Sequence, residues 1–113
     1  MAEGPRDEGS VTAQRIVDAL GLDLSAALLG VDTGRVGAWA AGAESPSAEE
    51  QNRVADLDLL ADHLLGAFTP AQARLWLVGE NSHLGARPAD VFRAEGSAQV
   101  IGAIRAYQEG SFA

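Results

Sequence analysis

The sequence predicts an all-α fold, an N-terminal helix-turn-helix followed by a small second helical domain. Three observations carry that expectation. Apolar residues recur at steps of three and four, and no stretch sustains the period-two alternation of a strand. Capping residues open the apolar runs, as at Asp32, Ser47 and Thr69, and glycines close them, as at Gly21, Gly30, Gly42 and Gly110. A short helix, a Gly-Val turn and a second short helix follow one another between residues 22 and 41.

The elements follow in chain order. Residues 1–10 read as a charged, flexible lead-in. Ala13, Ile16, Val17 and Leu20 lie at helical spacing, and Gly21 ends that run. A second helix covers about 23–29 and breaks at Gly30-Val31-Asp32. The Asp32 carboxylate is placed to accept the free amides of a third helix, about 33–41, which Gly42 closes. Ser45-Pro46-Ser47 opens the longest helix: Pro46 suits its first position, and Ser47 with Glu50 has capping-box spacing. Its stripe is Val54, Leu57, Ala61, Leu64 and Phe68. Thr69-Pro70 restarts the chain for a helix to about Val78. Residues 80–87 read as a loop, and Pro88 starts a short helix to about Ala94. Gly96-Ser97 breaks and re-caps the chain. A last helix, about 98–109, buries Val100, Ile101, Ile104 and one of Tyr107 and Gln108. The expected division is 11–56 for the helix-turn-helix domain and 57–113 for the second domain with its C-terminal tail.

A chain of 113 residues supports one domain, or two very small ones sharing a core. Hydrophobic residues make up 47 % but aromatics only 5 %, so the core is modest and suited to completion by a partner. The net charge is −8, and its greater part lies upstream of residue 57, where ten acids face four arginines. That balance disfavours loose, charge-driven binding of nucleic acid and suits a basic protein partner. The absence of cysteine excludes disulfides and thiolate metal sites. Met1 to Ser10 holds no apolar stretch and no segment reaches spanning length, so a cytoplasmic protein without membrane contact is expected.

Enzyme chemistry is not expected. His63 and His83 fall in different segments. Asp58 and Asp62 share a helix face, but as a solvated face, since a metal site needs three or four convergent ligands. The sequence has no glycine-rich phosphate loop and no nucleophile elbow. No catalytic residue, metal or cofactor is therefore assigned.

In the helix-turn-helix, Ala26, Leu29, Val31 and Val36 pack the two helices together and Trp39 anchors the second to the core. The spacing resembles that of Xre/Cro-like domains. Its outward positions are about Thr33, Gly34, Arg35, Gly37 and Ala38. Groove-reading helices present Arg, Lys, Gln, Asn or Ser, and here only Arg35 is a good base or phosphate ligand, with Thr33 beside it. Asp32 and Glu44 flank Arg35 with the wrong sign. Operator binding is a doubtful role for such a helix, and a scaffold or dimer surface is the competing one.

The second half carries a denser pattern. Trp76 and Leu77 read as core, while Asn81 and Gly85 permit the backbone angles of a tight loop. The tail ends Glu109-Gly110-Ser111-Phe112-Ala113, where Phe112 either folds back or anchors in a partner's cleft. Trp76, Leu77, Asn81, Leu84, Gly85, Pro88, Asp90, Val91, Gly96, Val100 and Ile104 together resemble, in order and approximate spacing, the toxin-binding segment of Xre/MbcA/ParS-type antitoxins. The resemblance covers about residues 60–113, and the helix-turn-helix extends it to nearly the full chain.

The resemblance implies an antitoxin of a type II toxin-antitoxin system. Its partner is a RES-domain toxin, encoded by an adjacent gene, that degrades NAD⁺. The C-terminal region of such antitoxins obstructs the toxin's active-site cleft, antitoxin dimers carry two toxins, and the helix-turn-helix autoregulates the operon. Toxin contact carries over to Trp76, Asn81, Leu84, Arg87, Tyr107, Glu109, Gly110, Ser111, Phe112 and Ala113. Gly79-Glu80 departs from the Pro-Asn pair that relatives often have before this loop. The competing readings are a stand-alone helix-turn-helix transcriptional regulator whose second half is a dimerisation module, and a structural adaptor.

Overall fold

A computed structural model gives the fold and describes residues 8–110. Its described residues form seven helices: α1 (Glu8–Leu20), α2 (Leu22–Leu29), α3 (Thr33–Ala41), α4 (Ala48–Ala67), α5 (Pro70–Val78), α6 (Pro88–Glu95) and α7 (Ala98–Gln108). Among those residues no strand occurs, and one isolated bridge pairs Asn81 with Ala86. The all-α expectation holds.

Helix α1 lies against α3 and α4, and α2 packs on α3, so α1–α3 with the front of α4 form one end of the molecule. Ile16, Leu20, Leu28, Val36 and Trp39 fill its interior. At the other end α7 packs on α4 and α6, and α5 on α6. Leu64, Leu77, Val100 and Ile104 are buried there. Both sets belong to a single apolar cluster. The expected division at residue 56 falls in the middle of α4, whose 20 residues run from one end to the other as a shared spine.

Local signals explain most boundaries. Ser47 Oγ accepts from the Glu50 amide while the Glu50 carboxylate accepts from the Ser47 amide, so α4 opens on a complete capping box. Thr69 and Gln72 make the same reciprocal pair for α5, with Pro70 in its first turn. Gly30 closes α2 with φ 72°, which a side chain would strain, and its N–H donates to the Ala26 carbonyl at 2.8 Å.

Four expectations need correction. Helix α1 begins at Glu8, so residues 8–10 belong to it rather than to a flexible lead-in; Ser10 is buried and donates to the Ala40 carbonyl at 3.0 Å. Asp32 holds the N-cap position of α3 without a side-chain cap bond; its side chain is exposed, and its backbone carbonyl, not its carboxylate, accepts the Arg35 amide at 3.1 Å. Pro46 precedes the N-cap Ser47 instead of occupying the first helical position. It is buried, and its carbonyl accepts from Gln51. Ser97 does not cap α7 with its hydroxyl. That group donates to Asp56 Oδ1 at 2.5 Å and its amide to Oδ2 at 3.0 Å, tying α4 to the α6–α7 junction.

Candidate functional site

The outer face of α5 departs most from a well-covered core. The run Leu75-Trp76-Leu77-Val78 turns about 100° per residue on a helix, so its side chains cannot all face inward. Leu77 takes the core position. Leu75 is left 72 % exposed and Val78 46 %. The capping box at Thr69 fixes where α5 begins, and therefore which of these residues faces out.

Three aromatic rings border that face. Phe68, at the end of α4, stacks at 4.9 Å on Tyr107 of α7 and at 5.6 Å on Trp76 of α5. Such offset, tilted pairs are favourable beyond the area they cover. Trp76 and Phe68 are half-buried, whereas Tyr107 remains 49 % exposed. The core expectation for Trp76 is corrected accordingly, and so is that for Tyr107 or Gln108, both of which are exposed. Between these rings, Leu75, Glu80 and Asn81 lies an open concavity of about 440 Å³. An apolar hollow with a polar rim fits an anchoring side chain from a partner.

The loop after α5 builds the other wall. Asn81 is buried, its Oδ1 accepts the Leu84 amide at 3.0 Å, and its own amide donates to the Ala86 carbonyl at 3.1 Å. Gly85 has φ 72° and donates to the Asn81 carbonyl at 2.8 Å, closing the turn. Asn81 thus shapes the loop from within. Leu84 packs half-buried against the core. Arg87 is exposed with its Nε 3.8 Å from Glu80, a pair of small energetic weight.

Of the residues assigned from sequence, Trp76, Asn81 and Tyr107 meet at one hollow. Leu84 and Arg87 belong to the loop beside it. Glu109 and Gly110 are exposed just after α7. Ser111, Phe112 and Ala113 lie outside the described residues. Sequence reasoning missed Phe68 as an aromatic neighbour and Leu75 as the most exposed large apolar side chain among the described residues. The four-residue apolar run was the available signal for Leu75.

The face of α3 is different. Arg35 makes a two-pronged bond to Glu50, with Nη1 and Nη2 at 2.6 and 3.0 Å from its two carboxylate oxygens. Its Nε lies 3.9 Å from Glu44, and its guanidinium sits 5.1 Å over the Trp39 ring. The Arg35 hydrogen bond, with that from the Ser47 amide, holds the Glu50 carboxyl down at about 2 against an ordinary 4.5. Glu50 in turn raises the Arg35 pKa, chiefly through the same hydrogen bond. Thr33 is exposed. The cation that sequence reasoning offered to DNA is therefore occupied inside the protein.

No family model and no curated sequence matches the chain. The fold is nevertheless that of an antitoxin. Its solved neighbour is the MbcA antitoxin in the crystal structure of the M. tuberculosis MbcT-MbcA toxin-antitoxin complex. The TM-score is 0.81 at 25 % identity, over 95 % of this chain and 99 % of that one.

Proposed function

We propose that this protein is an antitoxin that neutralises a RES-domain, NAD-degrading toxin encoded by an adjacent gene. The supporting observation is the pairing of an antitoxin's fold over nearly the whole chain with an exposed apolar hollow on α5 and α7. The MbcA neighbour is solved in complex with a toxin. The resemblance of residues 60–113 to toxin-binding segments supports placing the contact at the end that carries the hollow.

The mechanism is steric and needs no catalysis by this chain. Net charge −8 draws the antitoxin towards a cleft built for an anionic dinucleotide. Leu75, Trp76 and Tyr107 then bury their exposed surface, and the C-terminal region, with Glu109 and the residues through Ala113, lies across the cleft and excludes NAD⁺. Acting as a homodimer, the protein would carry two toxins in the cytoplasm. Autoregulation is the lesser role, since Arg35 is committed to Glu50.

The test is co-expression with the neighbouring gene product, reading NAD⁺ depletion. The full chain should protect the NAD⁺ pool, and a version ending at Gln108 should neutralise at least about tenfold less well, the scale of one lost interface anchor. Equal protection by both versions contradicts the occlusion of the cleft by the tail.

A further inference from the structure

In this acidic protein most described arginines are engaged. Arg15 pairs with Asp58, Arg35 with Glu50 and Arg87 with Glu80, and Arg74 donates to the Ala19 carbonyl at 3.0 Å. The side chains of Arg53 and Arg93 have no ion pair or hydrogen bond among the described residues. Both have an acid at helical pairing distance on their own helix, Glu49 four residues before Arg53 and Asp90 three before Arg93, and neither takes it. Arg53 lies over Gly30 instead, where a Cβ would come within 3.0 Å of its Nη2. Arg53 from α4 and Arg93 from α6 line the same two clefts, of about 320 and 140 Å³.

The acids there do not satisfy them. Asp56 spends both carboxylate oxygens on Ser97. Asp90 lines the larger cleft, is exposed and has no ion pair among the described residues. Leu28 and Phe92 give the smaller cleft an apolar floor. Two guanidinium forks facing one cleft, with donors unspent, match the oxygens of a phosphate group, which arginine binds in two-pronged fashion.

We propose that Arg53 and Arg93 form a binding site for a phosphate-class oxyanion, supplied by a free phosphate ester or by a nucleic-acid backbone. The site shares no lining residue with the hollow on α5 and does not depend on the antitoxin reading.

The experiment is a titration of the full chain followed through the arginine Nε–H resonances, with inorganic phosphate in one arm and a DNA duplex of arbitrary sequence in the other. Arg105, exposed and without a side-chain partner among the described residues but outside the clefts, is the internal control. Saturable shifts at Arg53 and Arg93 that leave Arg105 in place are expected, and Arg93→Gln should weaken binding at least about tenfold, the scale of a lost charge-assisted bond. Arg53→Lys keeps the charge against the end of α2 but loses the fork, and should weaken binding with an unchanged helical spectrum. Saturation by phosphate supports a free ester, and saturation by the duplex alone supports a backbone phosphate. No saturable response in either arm, equal shifts at Arg105, or full affinity in Arg93→Gln overturns the site.

Discussion

The two tryptophans sit in helices of equal length and have opposite fates. Both α3 and α5 have nine residues, yet Trp39 is 1 % exposed while Trp76 is only half covered. The apolar side chains one turn before Trp39 and directly after it are covered. Val36 and Ala40 are buried, and Arg35 closes over the ring while held by Glu50. Around Trp76 the helix carries more apolar surface than the core can cover, and Leu75 and Val78 remain in solvent. A helix that spends its tryptophan on packing holds the fold together. One that leaves leucine and valine outside keeps surface for a partner.

That contrast breaks down if the two tryptophans prove interchangeable. Trp39→Ala should cost about 3–5 kcal/mol of stability, the usual range for a buried aromatic, while Trp76→Ala costs less. Urea denaturation followed by circular dichroism measures both, and a larger loss at Trp76 would reverse the assignment. Asp56→Ala should cost about 1–3 kcal/mol, because the buried Ser97 amide and hydroxyl lose their acceptor. The same denaturation curve shows whether the two ends then unfold separately.

Smaller effects sharpen the comparison. Asn81→Ala removes the acceptor for the Leu84 amide and should cost about 1 kcal/mol. It should also loosen the wall of the hollow, so partner affinity falls while α1–α3 keep their protection from hydrogen exchange. The smallest effect is acid-dependent. The folded Glu50 carboxyl titrates at about 2, below its ordinary 4.5. Its stabilising contribution is therefore complete above about pH 4.5 and is lost as pH falls towards 2. Glu50→Gln should flatten that part of the denaturation midpoint against pH, and an unaltered slope would show that the bond to Arg35 contributes nothing.

Much of this was legible in the sequence, for reasons that differ by residue. The Ser47–Glu50 box and the Thr69-Pro70 start act through neighbours in the chain, so spacing reveals them. Trp39 was readable as the anchor of its short helix to the core, and it is buried there. Tyr107 was harder. The period of Val100, Ile101 and Ile104 extends to it, but Phe68 ends α4 beside it, and the ring stacks on that end instead of lying beneath it. Periodicity within one helix does not show where its neighbour stops. The partners of Arg35 and Asp56 were hidden for a related reason: Glu50 and Ser97 lie on other elements, 15 and 41 residues away.

The central claim is that the face around Leu75 binds the toxin. Calorimetric titration of the neighbouring gene product with Leu75→Asp tests it most directly. At 72 % exposure the substitution should change stability by no more than about 0.5 kcal/mol. Its added negative charge also favours a basic partner, so lost affinity reports lost apolar contact. The account predicts at least about a thirtyfold weaker complex, the scale of an interface hot spot, with an unchanged helical spectrum. Binding within threefold of the unsubstituted protein would contradict it.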